Sequence, residues 1–214
     1  MNKIEKVFKF YVLATELKDT IRKGWKDWNI SRNRIESVAE HIYGTCILAI
    51  AIDSEYELDI DIKKVVLMLV IHELEEVYIG DITPFDRITC EEKRVKGKEA
   101  VEKILDGMLK KEEYVNLTEE FNNMLTKEAK FAKVCDKLEC DIQCKLYCEE
   151  DSLQLNKKEN EQWLKDKRIE ELLNHGSKSI ADLFIEKDML LFEQNNFKEI
   201  ANFVKDNNLL KLKE

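Results

Sequence analysis

The sequence contains very little of the two residues that interrupt regular structure. Only one proline and six glycines occur among 214 residues, which is low for a β-rich or loop-rich protein. Lysine, glutamate and leucine are abundant instead, and these residues favour helices. The composition therefore predicts an all-α protein.

Long apolar stretches and an excess of positive charge are also missing. The longest unbroken apolar runs, 46–52 and 65–71, have seven residues each, far fewer than a membrane span requires. The formal net charge of -9 argues against a nucleic-acid polymer as the main partner. The six cysteines are irregularly spaced, as is typical of reduced thiols. We therefore expect a soluble cytoplasmic protein with no membrane partner.

The apolar periodicity predicts a series of amphipathic helices. The second of them starts after Ser37, and Glu40 stands at the capping-box position. Gly80 is expected to end the third helix. The predicted helices cover residues 4–22, 37–53, 63–79, 89–109, 117–125 and 127–150, with two or three more between 160 and 214.

The domain organisation follows from what separates these helices. No internal repeat, low-complexity tract or linker divides the chain. We therefore predict one helical domain over residues 1–214, with the informative motifs between about 17 and 147. The helices within 151–214 receive no assignment.

Histidine is scarce enough for each one to be considered separately. Of the three in the chain, His41 lies in the buried second helix, and His72 lies where the third helix changes from apolar to acidic. Asp136 interrupts the apolar stripe of a later helix. Alone, each is more often a core or solvated residue. Together, imidazole and carboxylate groups from separate helices are typical of a site for a divalent Mn, Co, Fe, Zn or Mg ion.

The residues after His72 exclude one familiar metal site. A zinc-protease helix needs a second histidine four residues on, and Glu76 occupies that place. On a regular helix Glu76 shares the face of His72, while Glu73 is about 100° round. We expect the carboxylate next to His72 to hold the metal and the carboxylate one turn later to handle protons. Glu75, about 300° round, is expected to be solvated.

Three stretches resemble the HD-domain metal-dependent phosphohydrolases, in the branch that includes 5'-deoxynucleotidases. They read ESVAEH, HELEEVYIGDITPFD and KVCDKLECDIQCK. The order of histidine, histidine-acid pair and aspartate matches the metal set of that family, and the flanking residues match as well. The resemblance covers roughly residues 17–147 and implies an all-α HD-domain bundle with a metal site between helices.

The resemblance implies roles for five of these residues. His41, His72 and Asp136 match the metal ligands. Glu73 stands where the family normally has aspartate, and its side chain is one methylene longer. Glu76 matches the acid that acts near the attacking water.

The resemblance also implies substrate contacts on two segments. Arg22 and Trp25 match residues that orient the phosphate and contact the substrate. Because the spacing to His41 is about two residues longer than usual, Trp28 or Arg34 are alternative equivalents. Asp81, Thr83 and Pro84 match a turn that borders the bound nucleotide.

The activity implied is hydrolysis of the 5'-phosphate of ribo- or deoxyribonucleoside monophosphates, in a homodimer. One alternative is a phosphatase for another small phosphate compound. A second is a nucleotide-binding module that has lost turnover through the change at Glu73. A di-iron oxygenase would need further histidines, and only His175 remains.

Overall fold

The computed structural model describes residues 1–83, 86, 88–155, 164 and 166–213. About 69% of it is helical and, in these residues, no strand forms, so the predicted all-α fold class is confirmed. The α-helices are α1 (Lys3–Thr15), α2 (Lys23–Asp27), α3 (Val38–Tyr56), α4 (Ile62–Ile71), α5 (Glu76–Ile79), α6 (Cys90–Ile104), α7 (Lys111–Asn122), α8 (Lys127–Glu149), α9 (Lys167–Asn174), α10 (Ile180–Met189) and α11 (Asn195–Asp206), with 3-10 helices at Glu16–Lys18 and Leu210–Lys213.

The chain divides into two compact units. The first comprises Met1–Gly24 and Glu36–Cys135, and the second comprises Trp25–Ile35 and Asp136–Glu214. The division falls inside the continuous helix α8. The expectation of one domain over 1–214 stays a prediction. No helix in the described part of the chain combines the length and apolar composition needed to cross a bilayer.

In the first unit, α3 packs against α4, and α4 and α6 both pack against α7. The contact faces are apolar, and Val38, Ala49, Val65 and Leu69 are fully buried. The capping box predicted at the start of α3 is confirmed. The Ser37 hydroxyl accepts the Glu40 N–H, and the Glu40 carboxylate accepts the Ser37 N–H.

The predicted continuous helix over 63–79 is wrong in its second half. α4 ends at Ile71, four residues form a turn, and α5 begins only at Glu76. The reason is local. The carbonyl oxygen of Leu69, which a regular helix would offer to the N–H of Glu73, lies 2.6 Å from Nδ1 of His72. The next N–H groups donate three residues back instead, from Leu74 to Ile71 and from Glu76 to Glu73.

Other helix boundaries differ by a few residues from the predicted ones. The predicted 4–22 helix ends at Thr15 and continues as the 3-10 turn Glu16–Lys18, because Ile21 leaves the helix to form an antiparallel bridge with Ser37. α7 starts at Lys111 instead of 117, since Glu112 and Glu113 suit the positive end of the helix dipole. Gly80 caps α5 at a φ of 72°, as predicted.

In the second unit, α10 packs against both α9 and α11. The buried residues include Ile180 and Ile185 of α10 and Ala201 of α11. The C-terminal segment is fixed to α8, since the N–H groups of Leu209 and Leu210 each donate to the Glu149 carboxylate at 3.0 Å.

The second unit also buries two aspartates. Asp141 of α8 is fully buried and Asp188 of α10 is 3% exposed. Within the described ranges, neither carboxylate oxygen of Asp141 has a hydrogen-bond partner. Burial raises the pKa of Asp141 well above its usual range, and the charge of Asp188 raises it further. The carboxyl of Asp141 therefore keeps its proton to a higher pH than an ordinary aspartate, which lowers the cost of burying it.

Folding consequently makes Asp141 take up a proton above pH 4, so its contribution to stability is greatest below the unfolded pKa of 3.8 and falls as pH rises towards the folded value. We expect Asp141→Asn to gain stability relative to wild type as pH rises above about 4, by up to about 1.4 kcal/mol per pH unit. Urea unfolding at each pH measures this difference. Asp206→Asn, an exposed aspartate of the same unit, is the control, and parallel curves for Asp141→Asn and wild type would contradict the prediction.

Candidate metal centre

The first histidine of the site is held in the interior by α3. Its position follows from the capping box, because Ser37 begins the helix and the N–H of His41 donates to the Ser37 carbonyl at 3.1 Å. One turn into the helix, the imidazole of His41 is fully buried. A helix start that is fixed by side-chain capping therefore fixes the depth of His41.

The second histidine meets the first through a shared carboxylate. Nε2 of His72 lies 3.3 Å from Oε1 of Glu73, and Nε2 of His41 lies 3.9 Å from the same oxygen. Because Nδ1 of His72 lies 2.6 Å from the Leu69 carbonyl, it carries the ring proton. Nε2 of His72 therefore presents its lone pair towards Glu73.

Asp136 completes a group of four. His41, His72, Glu73 and Asp136 each offer one ligand atom, and these atoms all lie within 4.8 Å of one another. Ligands about 2.0–2.2 Å from a metal lie within roughly 4.4 Å of each other, so small side-chain movements suffice. Two imidazoles and two carboxylates in a buried setting fit a borderline or hard divalent ion. The longer side chain of Glu73 reaches this position without difficulty.

Arg22 lies beside this group. Its Nη1 is 3.7 Å from Oε1 of Glu73, and its Nε is 4.0 Å from Oδ2 of Asp81. The same oxygen of Asp81 accepts the backbone N–H of Lys23 at 2.6 Å. Arg34, the alternative considered from the sequence, is exposed. The geometry therefore places Arg22 at the cluster.

The turn after α5 contains a contact between Thr83 and Asp86 that was not predicted from the sequence. Asp86 accepts hydrogen bonds at Oδ2 from the N–H of Thr83, at 2.8 Å, and from its hydroxyl, at 3.1 Å. Oδ1 of Asp86 pairs with the ammonium of Lys23. Pro84, the third predicted residue of this turn, lies outside the described residues. The only signal in the sequence was the acid three residues after a threonine, a local capping pattern.

Glu76 is a deeply buried acid at the start of α5. It is 3% exposed, and its Oε2 has no hydrogen-bond partner among the residues that the structure describes. Burial raises the pKa of Glu76 well above its usual range, and the charges of Glu73 and Asp81 raise it further, while Arg22 and Lys93 oppose the shift. A carboxyl group in this setting is able to exchange a proton with a ligand bound nearby.

The expectation that Glu75 is solvated is wrong. Glu75 is 8% exposed, because the turn after Ile71 rotates it away from the position that a regular helix would give. Its carboxylate lies against α6 at Gly97. Burial raises the pKa of Glu75 to about 7, the charge of Glu73 adds to this, and Lys93 opposes it.

Trp25 lies in the second unit and is 2% exposed. Its ring stacks on Phe184 at a centroid distance of 5.7 Å and meets Tyr147 edge-on at 5.5 Å. Trp28, the alternative from the sequence, is 3% exposed and also packs on Phe184. Both tryptophans therefore have a packing role in this unit. The substrate contact of Trp25 stays a prediction.

The fold and this cluster together define a helical protein with a buried histidine-carboxylate centre. The HD domain family model matches residues 14–206, and the chain belongs to this family, as the sequence predicted. It is 34% identical over 147 residues to 5'-deoxynucleotidase HDDC2 of Danio rerio, covering 67% of this chain and 70% of the relative. It is 35% identical over 144 residues to 5'-deoxynucleotidase HDDC2 of Homo sapiens, covering 66% of this chain and 68% of the relative.

The fold also matches solved structures. A protein of Magnetospirillum magnetotacticum described as a predicted metal-dependent phosphohydrolase superposes with a TM-score of 0.64. The match covers 95% of this chain and 91% of the other at 22% identity. At that identity the likeness shows the fold, which agrees with the helical HD bundle expected from the sequence.

The packing of Trp25 leads to a prediction about stability. We expect Trp25→Ala to lower the free energy of unfolding by about 3–5 kcal/mol, since the variant loses two aromatic contacts and leaves a cavity. Trp25→Phe, which keeps an aromatic ring, should lose less than half of that. Urea unfolding measures both. An unchanged transition for Trp25→Ala would mean that the ring has no packing role.

Proposed function

We propose that this protein is a metal-dependent 5'-nucleotidase that releases phosphate from ribo- or deoxyribonucleoside 5'-monophosphates in the cytoplasm. The observation that carries the proposal is the buried group of two imidazoles and two carboxylates with Arg22 beside it. The matched relatives named 5'-deoxynucleotidases support the choice of substrate class.

His41, His72, Glu73 and Asp136 would hold one divalent ion, with Co, Mn, Fe, Zn and Mg as the alternatives. When bound, such an ion lowers the pKa of a water molecule and offsets charge on the phosphoryl group. His41, His72 and Asp136 are buried and Glu73 is partly exposed, so the site is largely shielded from solvent.

Arg22 is the proposed phosphate ligand. Its side chain is largely buried, and two acids, Glu73 and Asp81, hold the guanidinium at 3.7 and 4.0 Å. A guanidinium binds two phosphate oxygens at once, which would orient the phosphorus towards the metal group.

Glu76 is the proposed proton-transfer residue. Its buried Oε2 has no hydrogen-bond partner in the described part of the chain, so a water or a leaving-group oxygen would supply one. Glu76 would take a proton from the attacking water or deliver one to the leaving 5'-oxygen. Both proton transfers would use the same carboxyl group in the same position.

The nucleoside would lie along the turn after α5. Asp81, Thr83 and Pro84 are the proposed contacts there, with Asp81 accepting a hydrogen bond from a sugar hydroxyl. Trp25 is the further proposed contact from the sequence. A homodimer, implied by the family resemblance, stays a prediction.

The metal proposal is tested with the three histidines of the chain. We expect His41→Ala and His72→Ala to lose most of the ion, with affinity falling at least ~10-fold. His175→Ala should keep it, since His175 is exposed in the second unit. Elemental analysis after loading with Mn²⁺ or Co²⁺ measures the content. Equal losses in all three variants, or none in the first two, would refute the metal centre.

The role of Glu76 is tested with a variant of equal size. Glu76→Gln should lower kcat for phosphate release by roughly 10²–10⁴-fold with metal content unchanged. Glu112→Gln, an exposed glutamate of α7, is the control. The assay is phosphate release across ribo- and deoxyribonucleoside 5'-monophosphates. An unchanged rate would remove the proton role of Glu76, and binding without phosphate release from wild type would favour the binding-module alternative.

A further inference from the structure

Gly97 of α6 and Glu75 of the turn approach each other so closely that a side chain at position 97 would displace the Glu75 carboxylate. An ideal Cβ on Gly97 would lie 2.3 Å from Oε2 of Glu75 and 2.8 Å from its Cδ. Real Cβ contacts stay above 3.0 Å. Gly97 has an ordinary helical conformation within α6, so its backbone does not require glycine. The missing side chain leaves a notch that the Glu75 carboxylate fills.

The main chain of Glu75 is fixed as well. Its carbonyl accepts the N–H of Tyr78 and of Ile79, both at 3.1 Å. Glu75 is thus both the last residue of the turn that carries His72 and Glu73 and the first anchor of α5. A displacement of Glu75 would move the turn, because the main chain and side chain are both held.

The charged groups around the Glu75 carboxylate favour a fixed position for it. Lys93 of α6 and Lys133 of α8 both oppose the negative charges that surround Glu75. Nζ of Lys133 lies 4.5 Å from the centroid of the Phe121 ring, and that ring meets the imidazole of His72 edge-on at 5.1 Å. One cation near Glu75, Lys133, therefore also contacts the aromatic ring that packs against His72.

We infer that Glu75 is a positioning residue, which holds the turn His72–Glu75 against α6 through the notch at Gly97. In this way Glu75 keeps the side chains of His72 and Glu73 in the arrangement that binds the ion. The inference rests on the proposed metal centre. It adds Glu75 and Gly97 to the residues on which the metal centre depends, and Gly97 lies on α6, which contributes none of the four proposed ligands.

Four variants test the inference: Gly97→Ala, Glu75→Ala, Glu75→Gln and the double variant Glu75→Ala/Gly97→Ala. The probe is Co²⁺, titrated into metal-free protein and followed by its visible absorption, with the Tm of the metal-free protein as a second readout. Gly97→Ala should weaken Co²⁺ binding at least ~10-fold, because the new methyl group displaces the carboxylate. The double variant should bind no more weakly than Glu75→Ala, since the clash is gone. Glu75→Gln keeps the shape and should bind within about threefold of wild type.

Gly24→Ala is the matched control. Gly24 is also helical, and its added Cβ would meet only the Cγ2 of Thr83 at 4.0 Å, an ordinary contact. It should bind Co²⁺ within about threefold of wild type.

Wild-type affinity in Gly97→Ala, or a double variant as weak as the sum of both single variants, would overturn the inference. So would a fall in Tm that accounts for the lost affinity. Should Gly97→Ala fail to fold, Glu75→Ala decides: weaker binding at an unchanged Tm supports the role, and unchanged binding removes it. A wild type that binds no Co²⁺ overturns the metal centre and the inference with it. A wild type that binds Co²⁺ but hydrolyses no nucleotide contradicts the proposed activity alone.

Discussion

The contact between Nδ1 of His72 and the carbonyl of Leu69 is the interaction on which the site depends. It removes an acceptor that a regular helix would use for the N–H of Glu73. The N–H groups that follow donate to carbonyls three residues back, as in a turn. The carboxylate of Glu73 then lies towards Nε2 of His72. The same contact places the proton of His72 on Nδ1, so one interaction sets both the backbone path and the chemistry of the ring.

The site concentrates negative charge in the interior, and positively charged side chains lie beside these acids. The charges of Glu73 and Asp81 lie close enough to raise the pKa of Glu76, and Arg22 lies beside both of these acids. Such a cluster is costly unless cations offset it. A divalent ion at the imidazoles would complete that balance, which links the stability of this region to the proposed activity.

Much of the site was predictable because its signals are local. The capping box at Ser37 identifies the start of α3 and hence the depth of His41. The resemblance to the HD-domain family identified Glu73 and Asp136 as candidates. The break in the third helix was not predictable from periodicity, since the apolar pattern continues to Ile79 while a side-chain contact interrupts the main chain. The burial of Glu75 followed from that break.

The sequence by itself determined that the chain is helical and that it carries the residues of an HD-domain centre. Composition, periodicity and capping act over a few neighbouring residues, so they can be read from the chain alone. Only the tertiary structure decided that Arg22, and not Arg34, lies at the cluster and that Glu75 fills the notch at Gly97. Those facts depend on which distant side chains meet and how much space they leave, and no local pattern encodes that.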